Sequence, residues 1–254
     1  MDQSPPAPLD EASAPRPAPP RSHVVCMEPE LGERHAGSEV VMQQDHFAIR
    51  VADTETGRSS ASMLINKMYA WRGYGDKHKV EANPNRITLS ATDKGMVIGT
   101  VTLGIDSEAG ILADEIFHDH IQGVRAAGGK VCEITKLAFD PALRSKMALA
   151  SLFHVLFIYA HYRHHCTDVF IEVNPRHRRY YEAMLGFRRI GELRSNPRVD
   201  APAYLLWVGM EHVNAEIARL GGTSTHPGSE RSLYPYFLSR REEIGLANRL
   251  LKLD

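Results

Sequence analysis

What most constrains this chain is the alternation of two hydrophobic periods along its length. His46–Ala52 (HFAIRVA) alternates apolar and polar residues with the period of a half-buried strand. Ser59–Tyr74 then places Leu64, Met68 and Trp71 at helical spacing, and Gly73 and Gly75 stop it. Arg86–Ser90 and Met96–Leu103 read as strands joined by Asp93–Lys94–Gly95, a hairpin turn. A helix over Ile111–Ala127, a strand over Lys130–Phe139, a long apolar helix over Arg144–His164 and a buried strand over Asp168–Val173 follow. The pattern continues with a helix at Arg176–Leu185, strands at Phe187–Leu193 and Tyr204–Met210, and helices at Glu211–Leu220 and Arg241–Leu253. Strands that alternate with helices predict an α/β fold, and the hairpin makes its central sheet mixed.

Composition sets the limits of the folded part. Residues 1–20 hold seven of the fifteen prolines, which fix φ and remove amide donors, so this stretch predicts an extended arm rather than helix or central strand. The expected organisation is a Pro-rich arm over 1–40, one domain over 41–220, and a loop and helix over 221–254 packing on it. The net charge of −1 is uneven: the arm carries −4, leaving +3 on the remainder. No apolar run reaches a membrane span, and no basic start with an apolar core marks a secretory leader. Cys26, Cys132 and Cys166 are odd in number and widely spaced, which fits a reducing compartment, the cytoplasm.

Ile171–Phe187 (IEVNPRHRRYYEAMLGF) runs from a buried strand through Asn174–Pro175 into a helix with Tyr180–Tyr181 and on to Gly186–Phe187. It resembles the fifth strand and following helix of the GNAT acyltransferases, with one extra residue between the tyrosines and the glycine. The resemblance implies a strongly splayed mixed sheet flanked by helices, and gives Tyr181 the role of acid toward a departing thiolate. The alternative is a packed core tyrosine. Where that superfamily carries glycines for the coenzyme A pyrophosphate, this chain has Arg144–Ser145–Lys146–Met147–Ala148–Leu149. A helix N-terminus with two cations suits a single phosphate, as on the phosphopantetheine of an acyl carrier protein. Acyl-coenzyme A is the alternative donor.

Residues 174–198 carry seven arginines against two glutamates. Such a rim would steer an acidic carrier protein, with Arg176, Arg178 and Arg179 as the docking residues. A solvated surface, or a nucleic-acid site without any accompanying motif, are the competing readings. Glu133, inside the strand segment CEITK (Cys132–Lys136), is costly in an apolar strand unless paired or used.

CEITKLAFD, with DSEAGILADEIF (Asp106–Phe117), EVNPRHRRYYEAMLGF and SLYPYF (Ser232–Phe237), is similar to the long-chain N-acyl amino acid synthases of the FeeM type. CEITK is more distantly similar to acyl-homoserine lactone synthases. The FeeM resemblance implies transfer of a long-chain acyl group from acyl carrier protein to an amino acid amine, with no bound cofactor. On that reading Glu133 is the base or else part of a structural ion pair, and Lys136, Leu137 and Ala138 polarise the thioester carbonyl. Arg144, Ser145, Lys146 and Asn174 hold the pantetheine, and Leu149, Leu152 and Phe153 line an acyl tunnel or simply pack the core. Arg50, Arg72 and Lys136 are candidates for the amino-acid carboxylate. His118–Asp119–His120 and His161-x-x-x-His165 have ligand-like spacing, but no metal is expected. A coenzyme A-dependent acetyltransferase and an inactive GNAT-fold binding module are the alternative functions.

Overall fold

A computed structural model describes residues 39–44, 46–143, 145–224 and 230–252. Residues 1–38 of the Pro-rich arm, with Cys26, and also Arg144 lie outside the described residues, and Val40, assigned to the arm by composition, already belongs to the first strand. Eight strands, β1 (Val40–Gln43), β2 (Ala48–Val51), β3 (Arg86–Asp93), β4 (Met96–Ile105), β5 (Val131–Phe139), β6 (Asp168–Val173), β7 (Arg188–Asn196) and β8 (Ala201–Gly209), form one open sheet. Their order is β1-β2-β3-β4-β5-β6-β8-β7. Every neighbouring pair is antiparallel except β5 and β6.

Helices cover both faces. Val131 packs with Phe117 and Ile121 of α2 (Asp114–Ala126), and Ala138 packs with Ala61, Leu64 and Ile65 of α1 (Glu55–Trp71). Cys132 and Ile134, turned the other way by the two-residue period, join the larger core under α3 (Lys146–Ile158), α5 (Met210–Leu220) and α6 (Arg240–Leu251). α4 (Arg178–Leu185) follows β6 and ends at Gly186, whose φ of +75° closes the helix in the left-handed conformation. The SLYPYF segment is part of that larger core. The Tyr234 hydroxyl donates to the Leu185 carbonyl at the end of α4 (2.8 Å), and Phe237 stacks on His154 of α3.

Two elements differ from the sequence reading. β1 was not expected, because four residues (VVMQ) are too short to show a period; pairing with β2 and burial of Val41 and Met42 make the strand. The helix expected over Arg144–His164 is regular only to Ile158 and widens over Tyr159–Arg163, where the His164 N–H donates to the Tyr159 carbonyl. The cysteines far apart in sequence also meet: the Cys132 and Cys166 thiols are free, buried and adjacent.

The feature that positions the site is the short parallel ladder. β5 and β6 share only the pairs Val131–Asp168, Cys132–Val169 and Glu133–Phe170. Beyond them β5 stays on β4 as far as Phe139, and β6 stays on β8 as far as Val173. The two strands therefore part, and the sheet opens between them.

Candidate active site

Lys136 is where β5 bends at the opening. The β4–β5 register slips between Thr100 and Thr102, and Lys136 takes a φ of +52°. Such a bulge re-aims the backbone. The Lys136 carbonyl accepts from the Thr100 hydroxyl (3.0 Å). The Asp140 N–H donates to Ile98 on β4 (2.9 Å), so strand alternation turns the Phe139 N–H toward the opened side. Ala138 is paired to Thr100 and packed on α1, while Leu137 packs toward the α3 core.

Glu133 is 1% exposed. Its Oε1 accepts from the Leu112 N–H (2.9 Å) and its Oε2 from the Ala113 N–H (3.1 Å), and the Arg86 guanidinium lies 3.9 Å from Oε1. Ala113 caps α2 without a side-chain bond of its own, so Glu133 supplies the acceptor for that helix start. Burial pushes its carboxyl up, against the two amides, Arg86 and Arg198. Gly104 faces Glu133 across the ladder, and a Cβ there would sit 2.7 Å from the Glu133 Cγ. Only glycine leaves that side chain its place.

On the far side of the opening, Tyr181 is buried on α4, edge-on to Phe187 (6.3 Å) and Tyr180 (5.5 Å). Burial, with the neighbouring Tyr69 phenol, pushes its hydroxyl above the ordinary tyrosine range. Tyr69 on α1 is itself pushed up to about 12 by burial. Arg176 donates to the Tyr74 hydroxyl (2.8 Å), and Arg72 and Arg176 both lower the His177 pKa after burial has done so. The end of α1 and the start of α4 thus meet in a cluster of tyrosines and arginines at the mouth of the opening.

The remaining sequence candidates divide. Arg72 belongs to this cluster, and Lys136 lies beside Arg86, with burial lowering its pKa first and Arg86 second. Arg50 lies on β2, with β3 and β4 between it and β5. The Ser145 hydroxyl caps α3 by accepting from the Ala148 N–H (3.1 Å), and the Asn174 side chain accepts from the Arg176 N–H (3.2 Å). Lys146 lies over the Tyr236 ring (4.4 Å) and donates to the Arg231 carbonyl (3.4 Å). Leu152 and Phe153 are closed into the core, with Leu149 half-buried beside them.

The Arg-rich segment is less free than its composition suggests. Arg194 is held by Asp119 (2.7 Å) and the Ile116 carbonyl, and Arg198 by Glu115, Glu172 and the Leu112 carbonyl. Arg178 pairs with Glu182 (3.4 Å). Arg176, Arg179, Arg188 and Arg189 remain exposed along α4 and the edge strand β7. His118 sits by Asp114 and His161 by Asn214, and among the described residues no three acids, histidines or cysteines could hold a metal. No described helix is long and apolar enough to cross a membrane.

Glu172 and Arg86 were missed. Glu172 carried the same signal as Glu133, an acid inside an apolar strand, whereas Arg86 stood at the start of a strand with nothing to mark it.

An open mixed sheet that parts between two parallel strands, with a buried tyrosine on the helix beyond, is the acyltransferase fold of the GNAT class. The chain is similar to the solved structure of FeeM, an N-acyl amino acid synthase from uncultured soil microbes, at 24% identity and a TM-score of 0.59. That match covers 66% of this chain and 93% of the other. It is also similar to the acyl-homoserine lactone synthase LasI (12% identity, TM-score 0.49, 65% and 90% covered). No curated relative matches the sequence. The model of the FeeM family, N-acyl amino acid synthase FeeM, matches residues 60–209, more than half of the chain. The chain belongs to that family.

Proposed function

We propose that this protein moves a long-chain acyl group from the phosphopantetheine thioester of an acyl carrier protein to the amine of an amino acid, by direct attack of the amine. The observation that carries the reading is the opened β5–β6 ladder, with the Lys136 bulge on one wall and Tyr181 beyond the other. A thioester in the opening meets the Phe139 N–H and the backbone of the Lys136 bulge, while the Ala138 N–H is turned to β4, and oriented amides in a site that excludes water stabilise a forming oxyanion. The amine nitrogen bonds to the carbonyl carbon and the carbon–sulfur bond breaks. An ammonium loses two protons on becoming an amide. One passes through a carboxylate to solvent, and one reaches the thiolate sulfur through the Tyr181 hydroxyl.

The carboxylate belongs to the α1/α2 face, where Glu133 and Glu172 stand. Lys136, Arg72 and Arg86 supply positive charge for the amino-acid carboxylate. The N-terminus of α3, with Arg144 and Lys146, receives the single phosphate while the Ser145 hydroxyl caps the helix, Asn174 shapes the turn beside the pantetheine arm, and the acyl chain runs along Leu149 toward Leu152 and Phe153. The exposed arginines beside α4, Arg176 and Arg179 foremost, face the acidic carrier, with Arg178 between them.

The test is to incubate the full chain with long-chain acyl carrier protein and the twenty amino acids, and to analyse products by mass spectrometry. An N-acyl amino acid is expected. Turnover with acyl-coenzyme A but not with loaded carrier protein overturns the donor, and absence of any N-acyl amino acid with either overturns the acceptor.

A further inference from the structure

β6 is the buried strand Asp168–Val173, and its sequence DVFIEV carries two acids, Asp168 at its start and Glu172 inside the apolar run. Glu172 lies on the same face as Phe170, and Phe170 is in register with Glu133. It therefore stands on the α2 side of the sheet, about 7 Å further along than the last shared pair at a rise of about 3.3 Å per residue. The other wall of the opening at this level is Thr135, two residues past Glu133 on β5.

The Glu172 side chain is 11% exposed. Its Oε2 is fixed, accepting from the Arg198 guanidinium and from Asn196 Nδ2 (3.4 Å). Its Oε1 is fully buried and has no hydrogen-bond partner among the described residues, and the same is true of Thr135 Oγ1. Buried polar atoms nearly always find partners, and two unpartnered ones facing the same opening call for an explanation. Charge leads to the same place. Arg198 is shared by Glu172 and Glu115, and Arg86 stands by Glu133, so three carboxylates face two guanidinium groups. Burial, together with Glu133 and Glu115, pushes the Glu172 carboxyl up to about 7, while Arg198 opposes the rise. Glu133 has an amide on each oxygen; Glu172 keeps one oxygen uncommitted.

We infer that the Glu172 carboxylate receives the α-ammonium of the amino-acid substrate at the β5–β6 opening and takes its proton, with Arg198 and Asn196 holding the other oxygen in place. This rests on the proposed acyl transfer. In the step, one N–H bond of the ammonium breaks, its proton joins Glu172 Oε1, and the freed nitrogen lone pair attacks the thioester carbonyl. Glu172 then returns the proton to solvent. Glu133, with both oxygens engaged, positions the α2 start from which Glu115 reaches Arg198. A base with a pKa near the working pH is the most effective kind.

Two readouts test it. With loaded carrier protein and the twenty amino acids, wild-type kcat/KM should rise through about pH 7 to a plateau. Glu172→Gln should lower it at least 100-fold at pH 8 and remove the limb, while Glu133→Gln keeps the limb at whatever rate it retains. Glu172→Asp, which keeps a carboxyl, should restore the limb at a reduced rate, and answers for Glu172→Gln if that variant does not fold. A limb near pH 7 that persists in Glu172→Gln overturns the inference. The second readout needs no turnover: adding the amino-acid mixture at pH 6 in weak buffer should release protons from wild type and not from Glu172→Gln. Equal release from both overturns the ammonium site. Glu172-dependent release from a protein that makes no N-acyl amino acid would overturn the acyl transfer and leave the ammonium site standing.

Discussion

The two faces of the opened sheet are built by different rules. On the α3 side the polar groups are held one by one within apolar core: the Ser145 hydroxyl accepts from the Ala148 N–H, His154 accepts from the Leu238 N–H, and Glu243 pairs with Arg240. The rest of that face is largely apolar core. On the α1/α2 side, charges from five separate segments converge: Arg86 from β3, Glu115 from α2, Glu133 from β5, Glu172 from β6 and Arg198 from the β7–β8 turn. Buried charge is expensive unless paired and hydrogen-bonded. Pairwise bonds and packing account for most of the first face. The second keeps a costly cluster with a negative excess, which a substrate ammonium would neutralise.

Three substitutions probe this contrast. Tyr181→Phe keeps the ring against Phe187 and removes only the hydroxyl, so turnover should fall about 100-fold while the melting temperature holds, the scale of a lost general acid. Full activity in steady-state kinetics would return Tyr181 to core packing. Gly104→Ala puts a Cβ within 2.8 Å of the Glu133 Oε1 and should cost about 1–3 kcal/mol in urea unfolding, as overpacking does. An unchanged midpoint would mean that Glu133 gives way easily and that the acid cluster is looser than its bonds imply. Ser145→Ala, on the other face, should cost about 1 kcal/mol as a lost helix cap and leave the donor KM within twofold. A tenfold rise in that KM would place the hydroxyl on the donor phosphate and weaken the contrast.

Much of the fold was legible because its signals are local. The hairpin turn at Asp93–Gly95, the helix stop at Gly186 and the breaks around Pro141 and Pro175 each follow from residues a few positions apart. β1 was not, because a four-residue strand exists by virtue of its partner. At the site, an acid in an apolar strand marked Glu133, and equal treatment of DVFIEV would have marked Glu172. Composition misled in one respect. Seven arginines in one segment read as a docking rim, yet Arg194 and Arg198 are held by acids on α2, some eighty positions away in sequence. The Lys136 bulge and the length of the β5–β6 ladder depend on register, which no single segment encodes.

The Tyr234 clasp on the end of α4 bears on where this protein can be cut. The family model matches only as far as residue 209, yet Leu233, Tyr234, Phe237 and Leu246 sit in the same core as Tyr181. A recombinant fragment ending at the similarity boundary would leave the Leu185 carbonyl without its donor and strip the cover from His154 and Phe157. The matched stretch is shorter than the folding unit, and the part that must be expressed whole extends at least to α6.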